Sequence, residues 1–182
     1  QCTGLFTSTF DEFKIPMSRF LVNKTKNIVV KTPNRSVHFS GQNEYVVCRT
    51  KFDSYMANRA VDSGVQLYLN HHFMFRCGKR SILVKDKNEN RVKEIYFDAI
   101  IGADGPLSKT AKEFGLGGHQ TFYHGVQATV KGEFDPSTFT AQFGNNVAPG
   151  LFAWAVPEDS STARVGLGTL QTSANSYFNK FL

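Results

Sequence analysis

The segment Asp98–Leu116, DAIIGADGPLSKTAKEFGL, constrains the fold more than any other part of the sequence. Its pattern predicts an apolar strand, a Gly-Asp-Gly turn and the first turns of a helix. Gly102 permits a sharp turn where the strand ends, and Gly105 permits a ligand to approach the backbone closely. Because ligands of open α/β sheets bind beyond the carboxyl ends of the strands, this turn is a predicted ligand contact. The same residues also fit an ordinary strand-to-helix turn that Asp104 caps.

A strand–helix–strand unit is predicted upstream of this turn. Residues 44–50 form a predicted strand, residues 50–64 have apolar side chains at helical spacing and end in a glycine, and residues 65–69 form a second predicted strand. Short connections of this kind build parallel sheets. The sequence nevertheless contains no G-x-G-x-x-G motif, which is the phosphate-binding loop of such a sheet.

The other segments predict mostly β structure. Residues 73–97 divide into three strands separated by the turn signals GK and KNEN, as in a meander. Beyond residue 122, four strands alternate with short turns, which is typical of an antiparallel sheet, and residues 173–182 begin a helix. The predicted class is therefore mixed α/β, with part of an α/β sheet followed by a β-rich sheet.

Two side chains near the N-terminal end are candidate ligand contacts. Arg49 follows a strand and precedes a helix, where its guanidinium can donate two hydrogen bonds to a phosphate or a ribose. The alternative for Arg49 is a surface ion pair with Asp53. Cys2 lies beside the glycine turn at Gly4, either as a thiol that faces a pocket or as a small buried hydrophobe.

An aromatic strand is predicted near the C-terminal end. Phe152, Trp154 and Val156 alternate, so they share one face of a strand that Pro149 and Pro157 bracket. An aromatic wall of this kind suits an apolar ligand. The same alternation also fits a set of side chains in the core of a sheet.

Composition excludes several classes of function. The net charge is +6 and the pI about 9.3, but the basic residues are scattered and form no run of five, so no nucleic-acid-binding tail is expected. The positive charge favours an anionic cofactor or an acidic lipid surface, or serves solubility alone. Three irregularly spaced cysteines predict neither a disulfide framework nor a metal site, and they favour the cytoplasm. No apolar run reaches the length of a transmembrane helix.

In combination and order, the segments CTG, CRTKFD, GADGPLS and LFAWAVP resemble the motifs of the geranylgeranyl reductase family of FAD-dependent oxidoreductases. This family is a branch of the para-hydroxybenzoate hydroxylase superfamily, and the resemblance covers nearly the whole chain. It implies part of a Rossmann-like FAD-binding sheet with a β-meander in residues 1–118, then an antiparallel, β-rich substrate domain in residues 119–182. In the family, the G-x-G-x-x-G motif precedes the cysteine segment and a second flavin motif follows. The chain therefore resembles the interior of a flavoenzyme, and alone it is expected to be inactive and to bind FAD weakly or not at all.

The resemblance also implies three groups of site residues. The catalytic candidate is Cys2, beside the isoalloxazine ring. The cofactor-binding candidates, of which the first would contact the ribose or pyrophosphate of FAD, are Arg49, Gly102, Asp104 and Gly105. The residues that would line the substrate cavity are Phe152, Trp154 and Pro157. No metal ligands are implied.

The sequence departs from the family pattern in the aromatic motif. Phe152 stands where the family has tyrosine, which removes a hydroxyl group, and Val156 stands where it has phenylalanine, which makes the wall slimmer. Many hydroxylases of the superfamily have an arginine shortly after the serine of the GADG segment. Ala111 and Lys112 occupy that stretch, which fits the reductase branch better.

The function implied by the resemblance is reduction of isolated C=C bonds in isoprenoid chains. The partners implied are a prenyl lipid or prenyl diphosphate substrate, a reduced electron donor and an anionic membrane surface, with the protein in the cytoplasm or peripheral to the membrane. Two alternatives remain open. One is a superfamily hydroxylase or halogenase that acts on an aromatic compound, and the other is a flavin-free lipid-binding or interaction module.

Overall fold

The computed structural model describes residues 2–118 and 121–182. Over these residues the chain forms two compact units. Unit 1 joins Gln1–Ala60 to Tyr123–Leu182, and unit 2 comprises Val61–Phe122. The mixed α/β class predicted from the sequence is confirmed.

The strands and helices of unit 1 follow the predicted order closely. The first strands of unit 1 are β1 (Leu5–Thr7), β2 (Leu21–Lys31) and β3 (Ser36–Val47). The strands of unit 2 are β4 (His71–Arg76), β5 (Ser81–Asp86) and β6 (Arg91–Tyr96). The remaining strands of unit 1 are β7 (His124–Lys131), β8 (Thr138–Phe143), β9 (Phe152–Pro157) and β10 (Thr162–Thr169). The α-helices are α1 (Arg49–Asp62), α2 (Lys109–Glu113) and α3 (Ala174–Phe181), and two short 3-10 helices are Ser8–Phe13 and Met17–Arg19.

Unit 1 is built on a seven-stranded sheet in the order β1-β3-β2-β8-β9-β10-β7. Neighbouring strands are antiparallel except for β2 and β8, which are parallel. The strand predicted from residue 44 is the C-terminal end of a longer strand, β3. The parallel pair therefore lies between β2 and β8, away from the strand–helix–strand unit that the sequence predicted.

The register of the sheet gathers a set of side chains on one face. Gly166 of β10 pairs with Gln127 of β7 on one side and with Trp154 of β9 on the other, and Phe152 of β9 pairs with Phe143 of β8. Directly paired residues point to the same face of a sheet, and so do residues two apart in one strand. These five residues define the aromatic face.

The opposite face of the same strands forms the core of unit 1. Ala153, Val165 and Leu167 alternate with residues of the aromatic face and are buried. Phe178 of α3 packs against them. Each fully buried large apolar side chain contributes about 1.5–3 kcal/mol. This core packing holds β7, β9 and β10 against α3 and leaves the aromatic face for other contacts.

A second cluster of aromatic rings fixes the start of α1. Phe20 is 1% exposed, and its ring lies 5.0 Å from that of Phe52 on α1. The centres of the Phe6 and Phe10 rings lie 5.0 and 5.8 Å from the centre of the Phe52 ring. Because edge-to-face pairs of this kind have a preferred geometry, they set the direction in which α1 leaves β3.

Unit 2 contains the predicted meander, with β4, β5 and β6 antiparallel and in that order. The buried carboxylate of Asp86, on the central strand β5, links the three strands of the meander. Asp86 Oδ2 lies 2.9 Å from Lys93 Nζ and 3.4 Å from His71 Nε2, and Oδ1 accepts from the backbone N–H groups of Asn88 and Glu89. One side chain thus ties both outer strands to the turn between β5 and β6.

Two predicted strands are wrong. Residues 65–69 and 98–102 form no strand, and no described strand pairs with them. Ile101, predicted to be buried, is 91% exposed, and Leu69 is 68% exposed. A strand that is apolar on both faces needs hydrogen-bonded neighbours and covering layers, and the described residues supply neither here.

The predicted functional division after residue 118 differs from the division into compact units. It adjoins residues 119 and 120, which lie outside the described residues. The assignment of an FAD-binding and a substrate-binding part stays a prediction. Among the described helices, none combines the length and apolarity needed to cross a membrane.

Candidate functional site

The segment Cys2–Gly4 is fastened to the sheet of unit 1 by Arg164 of β10. Arg164 Nη1 donates to Thr3 O at 2.5 Å and to Val47 O at 2.8 Å. Gly4 has a φ of +78°, and a Cβ on it would lie 2.6 Å from Val47 O and 2.8 Å from Arg164 Nη1. Only glycine fits here, because both the backbone conformation and the space exclude a side chain.

Arg164 is itself held as one half of an ion pair. Its Nε and Nη2 atoms lie 2.7 and 2.6 Å from Glu158 Oε1, and its side chain is 12% exposed. The guanidinium therefore has a partner carboxylate and two backbone acceptors. Such a saturated arginine acts as a clamp for the cysteine segment rather than as a free anion ligand.

Arg49 begins α1 and lies beside Cys2. Its guanidinium pairs with Asp53, with Nη2 3.0 Å from Oδ1, which is the ion pair that the sequence offered as the alternative to a ligand contact. The hydrogen bond with Asp53 raises the pKa of Arg49, partial burial opposes this, and a hydrogen bond with Cys2 raises it further. Arg49 therefore stays cationic, with a side chain that remains 29% exposed.

A pocket of about 180 Å³ lies between these groups. The structure thus brings together Cys2 and Arg49, which the sequence had singled out separately. The rest of the lining is Cys48, Thr50, Gln127, Thr129 and Arg164. With the partly exposed Arg49 guanidinium, two threonine hydroxyl groups and one amide, this pocket suits a phosphate, a ribose or a carbonyl oxygen.

The aromatic face adjoins this pocket. The ring of Phe152 lies 5.9 Å from that of Trp154 and 5.2 Å from that of Phe143. The Trp154 indole lies over Gly166, where a Cβ would be 2.7 Å from two indole carbons. A second cavity, of about 500 Å³, is lined by Trp154, Gln127 and their neighbours on β7. Phe152 and Trp154 of the predicted wall are only half-buried, whereas Val156, the third residue of the alternation, is 1% exposed.

Gln127 stands between the two cavities and was not singled out by the sequence. Its Oε1 atom accepts from Trp154 Nε1 at 3.1 Å and from Thr3 Oγ1 at 2.7 Å. The sequence signal is weak, a single amide in the apolar strand HGVQATVK. Arg164 was not singled out either, because Thr3 and Val47, which accept its hydrogen bonds, lie far from it in the sequence.

Pro157 is placed apart from the other substrate-lining candidates. It ends β9 on the face opposite Trp154, is almost fully buried, and its carbonyl accepts from Asn23 Nδ2 at 2.9 Å. The structure does not bring it to the aromatic face. Its position is that of a strand terminator behind the wall.

The remaining candidates lie in unit 2, in the turn before α2. Asp104 Oδ1 accepts from Ser108 Oγ at 2.6 Å, and Oδ2 accepts from the Thr110 backbone N–H at 2.9 Å. These hydrogen bonds, that of Ser108 first, lower the pKa of Asp104 to about 2. Gly105 has a φ of +84° with open space around it, whereas a Cβ on Gly102 would lie 3.0 Å from Thr110. Asp104 therefore caps its own turn, and the backbone of Gly105 stays approachable.

Metal ions have no evident place in this site. Within residues 2–118 and 121–182, no group of three or more His, Cys, Asp and Glu side chains could hold one. The chemistry of the described site is that of a cationic, polar pocket beside an apolar wall.

Comparison with known proteins gives a family for this arrangement. Residues 121–182, which carry Gln127, Trp154 and Arg164, match the model of the geranylgeranyl reductase catalytic domain. The chain is 31% identical over 153 residues to digeranylgeranylglycerophospholipid reductase 2 of Methanothermobacter thermautotrophicus, a match that covers 76% of this chain and 39% of that protein. The chain thus spans less than half the length of this curated relative.

Solved structures give the same fold. A geranylgeranyl bacteriochlorophyll reductase-like protein of Thermoplasma acidophilum superposes with a TM-score of 0.85 at 20% identity, over all of this chain and 51% of that one. The myxobacterial chondrochloren halogenase CndH, a variant of the FAD-dependent halogenases, superposes with a TM-score of 0.66 at 13% identity, over 91% of this chain and 41% of that one. At these identities the likeness concerns the fold alone.

Proposed function

The chain belongs to the geranylgeranyl reductase family, and from that premise we propose that it supplies part of the active site of an FAD-dependent oxidoreductase. The reaction is reduction of isolated C=C bonds in isoprenoid chains. One observation carries the proposal: the aromatic face and the pocket of Cys2 and Arg49 meet at Gln127. An apolar substrate on the wall therefore lies next to a polar pocket fit for a cofactor.

The apolar wall suits the substrate chemically. An isolated alkene has no carbonyl group to polarise, so its binding depends on apolar burial and on exclusion of water. Phe143, Phe152 and Trp154 offer ring surfaces of this kind, and each buried methylene of a ligand contributes about 0.8 kcal/mol. The absence of a hydroxyl at Phe152 makes the wall wholly apolar except for the indole N–H, which Gln127 engages.

The polar pocket suits the cofactor. Arg49 remains cationic and partly exposed, and it is proposed to contact the ribose or pyrophosphate of FAD. Cys2, whose sulfur accepts from the Gly4 backbone N–H at 3.4 Å, is proposed to lie beside the isoalloxazine ring. From the family resemblance alone, Gly102, Asp104 and Gly105 of unit 2 are also proposed as cofactor-binding residues, through their backbone, since the Asp104 carboxylate serves its own turn. When bound, the reduced flavin supplies the hydride.

The proposed partners follow from the same chemistry. The substrate is a prenyl lipid or a prenyl diphosphate, and a reduced electron donor restores the flavin. The net charge of +6 favours an anionic membrane surface, where a prenyl lipid would be met. The proposed location is the cytoplasm, peripheral to the membrane.

The test separates reduction from the chemistry of halogenases and hydroxylases of similar fold. The protein that carries this chain is incubated without oxygen, with reduced FAD and a geranylgeranyl lipid, and the product is analysed by mass spectrometry. We expect two hydrogens to be gained for each reduced bond. If the alkene is unchanged, and a parallel incubation in air consumes oxygen only when an aromatic substrate is present, the hydroxylase or halogenase function replaces this one. If neither reaction occurs and flavin does not bind, the chain is a lipid-binding or interaction module.

A further inference from the structure

Gln127 receives two hydrogen bonds at one oxygen atom, from residues that lie far apart in the sequence. Trp154 Nε1 lies 3.1 Å from Gln127 Oε1, and Thr3 Oγ1 lies 2.7 Å from the same atom. An indole nitrogen can only donate, so the accepting atom must be the amide oxygen. The Thr3 hydroxyl must then donate to it as well. One amide group thus joins the aromatic face to the segment that carries Cys2.

This amide is the polar restraint on the Trp154 indole. The ring extends from β9 over Gly166 of β10 and reaches Gln127 of β7. Nε1 is the only hydrogen-bonding atom of an indole, so this one contact fixes its rotation about the side chain. Gly166 sets the height of the ring above the sheet, and Gln127 sets its orientation.

The same amide restrains the cysteine segment. Thr3 is held by its backbone through Arg164 and by its side chain through Gln127. Cys2 is the preceding residue and lines the same pocket as Gln127. The position of the thiol relative to the aromatic face therefore depends on a link that runs through Thr3 and Gln127 to Trp154.

We propose that Gln127 is a positioning residue that holds the Trp154 indole and the Cys2 segment in fixed relation, so that a double bond lying on the aromatic face is presented beside the Cys2 pocket. This inference rests on the proposed function for its substrate. The coupling of Thr3 to Trp154 does not depend on it. No described hydrogen bond joins Thr3 directly to Trp154, so a change at Thr3 reaches the indole through Gln127.

The first experiment uses Trp154, the only tryptophan of the 182-residue chain, as a fluorescent reporter. Thr3→Val removes the hydroxyl, and Gln127→Leu removes the acceptor. Thr3→Ser and Gln127→Glu keep the hydrogen-bonding oxygens and are the matched controls. We expect faster acrylamide quenching and lower fluorescence anisotropy in Thr3→Val and Gln127→Leu, and values near those of the wild type in both controls.

Unchanged quenching and anisotropy in both Thr3→Val and Gln127→Leu would overturn the inference. If Gln127→Leu loses its circular dichroism signal, Thr3→Val decides, because Thr3 is only half-buried. A merely structural link would lower the unfolding midpoint without changing the fluorescence of the folded state.

The second experiment measures kinetics in the flavin-containing protein. Gln127→Leu is expected to raise KM for the prenyl substrate about threefold to tenfold, the effect of losing one neutral hydrogen bond, with a smaller change in kcat. Gln127→Glu is expected to restore KM. An unchanged KM in Gln127→Leu contradicts the positioning role. If the wild-type protein reduces no prenyl chain, the proposed function fails, and the fluorescence still decides whether Gln127 couples Thr3 to Trp154.

Discussion

The indole of Trp154 occupies the space that a side chain on Gly166 would need. A Cβ built on Gly166 lies 2.7 Å from both Cε2 and Cζ2 of Trp154 and 2.7 Å from Val126 O. The glycine is therefore part of the aromatic face, since it lets the ring lie across β10 and reach Gln127. An apolar substrate would meet aromatic rings spread over three strands here, β8, β9 and β10.

Gly166→Ala should displace the indole. Because the contact involves a ring and a backbone carbonyl, the extra methyl group is expected to cost about 1–3 kcal/mol of unfolding free energy. Urea denaturation followed by Trp154 fluorescence measures this, and the emission of the folded state should also shift. Gly125→Ala is the control, at a glycine of the neighbouring strand β7 whose Cβ would meet only Leu167 O at 3.9 Å. Equal destabilisation by the two substitutions would contradict this explanation.

Gly4→Ala should release the cysteine segment. Gly4 and Gly41 have similar φ angles, +78° and +81°, so alanine strains the backbone at both. At Gly4 the methyl group would also lie 2.6 Å from Val47 O, whereas nothing lies within 4 Å at Gly41. Gly4→Ala is therefore expected to cost about 1–3 kcal/mol more than Gly41→Ala in urea denaturation. A difference near zero would mean that Arg164 does not hold the segment as described.

Asp86→Asn should remove part of the acid sensitivity of unit 2. The hydrogen bond from Lys93, opposed by burial and aided by the Asn88 and Glu89 backbone N–H groups and the nearby His71, lowers the pKa of Asp86 from 3.8 to about 2. A carboxylate with a lowered pKa in the folded state contributes stability above its unfolded pKa. That contribution is lost as the pH falls from about 4 through about 2.

The measurement is the unfolding free energy of wild type and Asp86→Asn between pH 7 and pH 2. The two curves should converge as the pH falls, with the variant less stable at pH 7. Asp98→Asn is the control, because Asp98 is 99% exposed where it pairs with Arg80. Parallel curves for wild type and Asp86→Asn would show that Asp86 is not linked to acid unfolding.

Arg49→Ala should weaken flavin binding in the protein that carries this chain. A partly exposed guanidinium that donates to a phosphate or ribose contributes about 1.5–3 kcal/mol, so Kd for FAD is expected to rise about tenfold to a hundredfold. Titration with FAD measures it. Arg80→Ala, at an exposed ion pair in unit 2, controls for the loss of one positive charge. An unchanged Kd would remove Arg49 from the cofactor site.

The sequence was sufficient to predict strands such as β9, whose neighbouring strands lie among the described residues. Alternating residues such as Phe152 and Trp154 predicted a strand, which pairs with β8 and β10. The alternation placed them on one face but did not decide whether that face was a ligand wall or part of the core. Residues 65–69 and 98–102 carry equally strong apolar signals, but they form no strand. A strand depends on a neighbour that its own sequence does not specify.

The candidate site was predictable only through the chemistry of single residues. Cys2, Arg49 and Trp154 stand out by type and by their position at turns or in an aromatic strand. Gln127 and Arg164 do not, because their roles come from hydrogen bonds to Thr3 across 124 and 161 residues of chain. Pairings of that separation follow from the strand order, which a local pattern does not specify.

The most direct test of the account is the dependence of KM on prenyl chain length in the wild type and in Trp154→Ala. If the aromatic face binds the isoprenoid chain, KM of the wild type should fall about tenfold or more with each added isoprene unit that reaches the wall. The dependence should be much shallower in Trp154→Ala. The same steep dependence in both proteins would contradict the account, because the chain would then be bound somewhere other than the aromatic face.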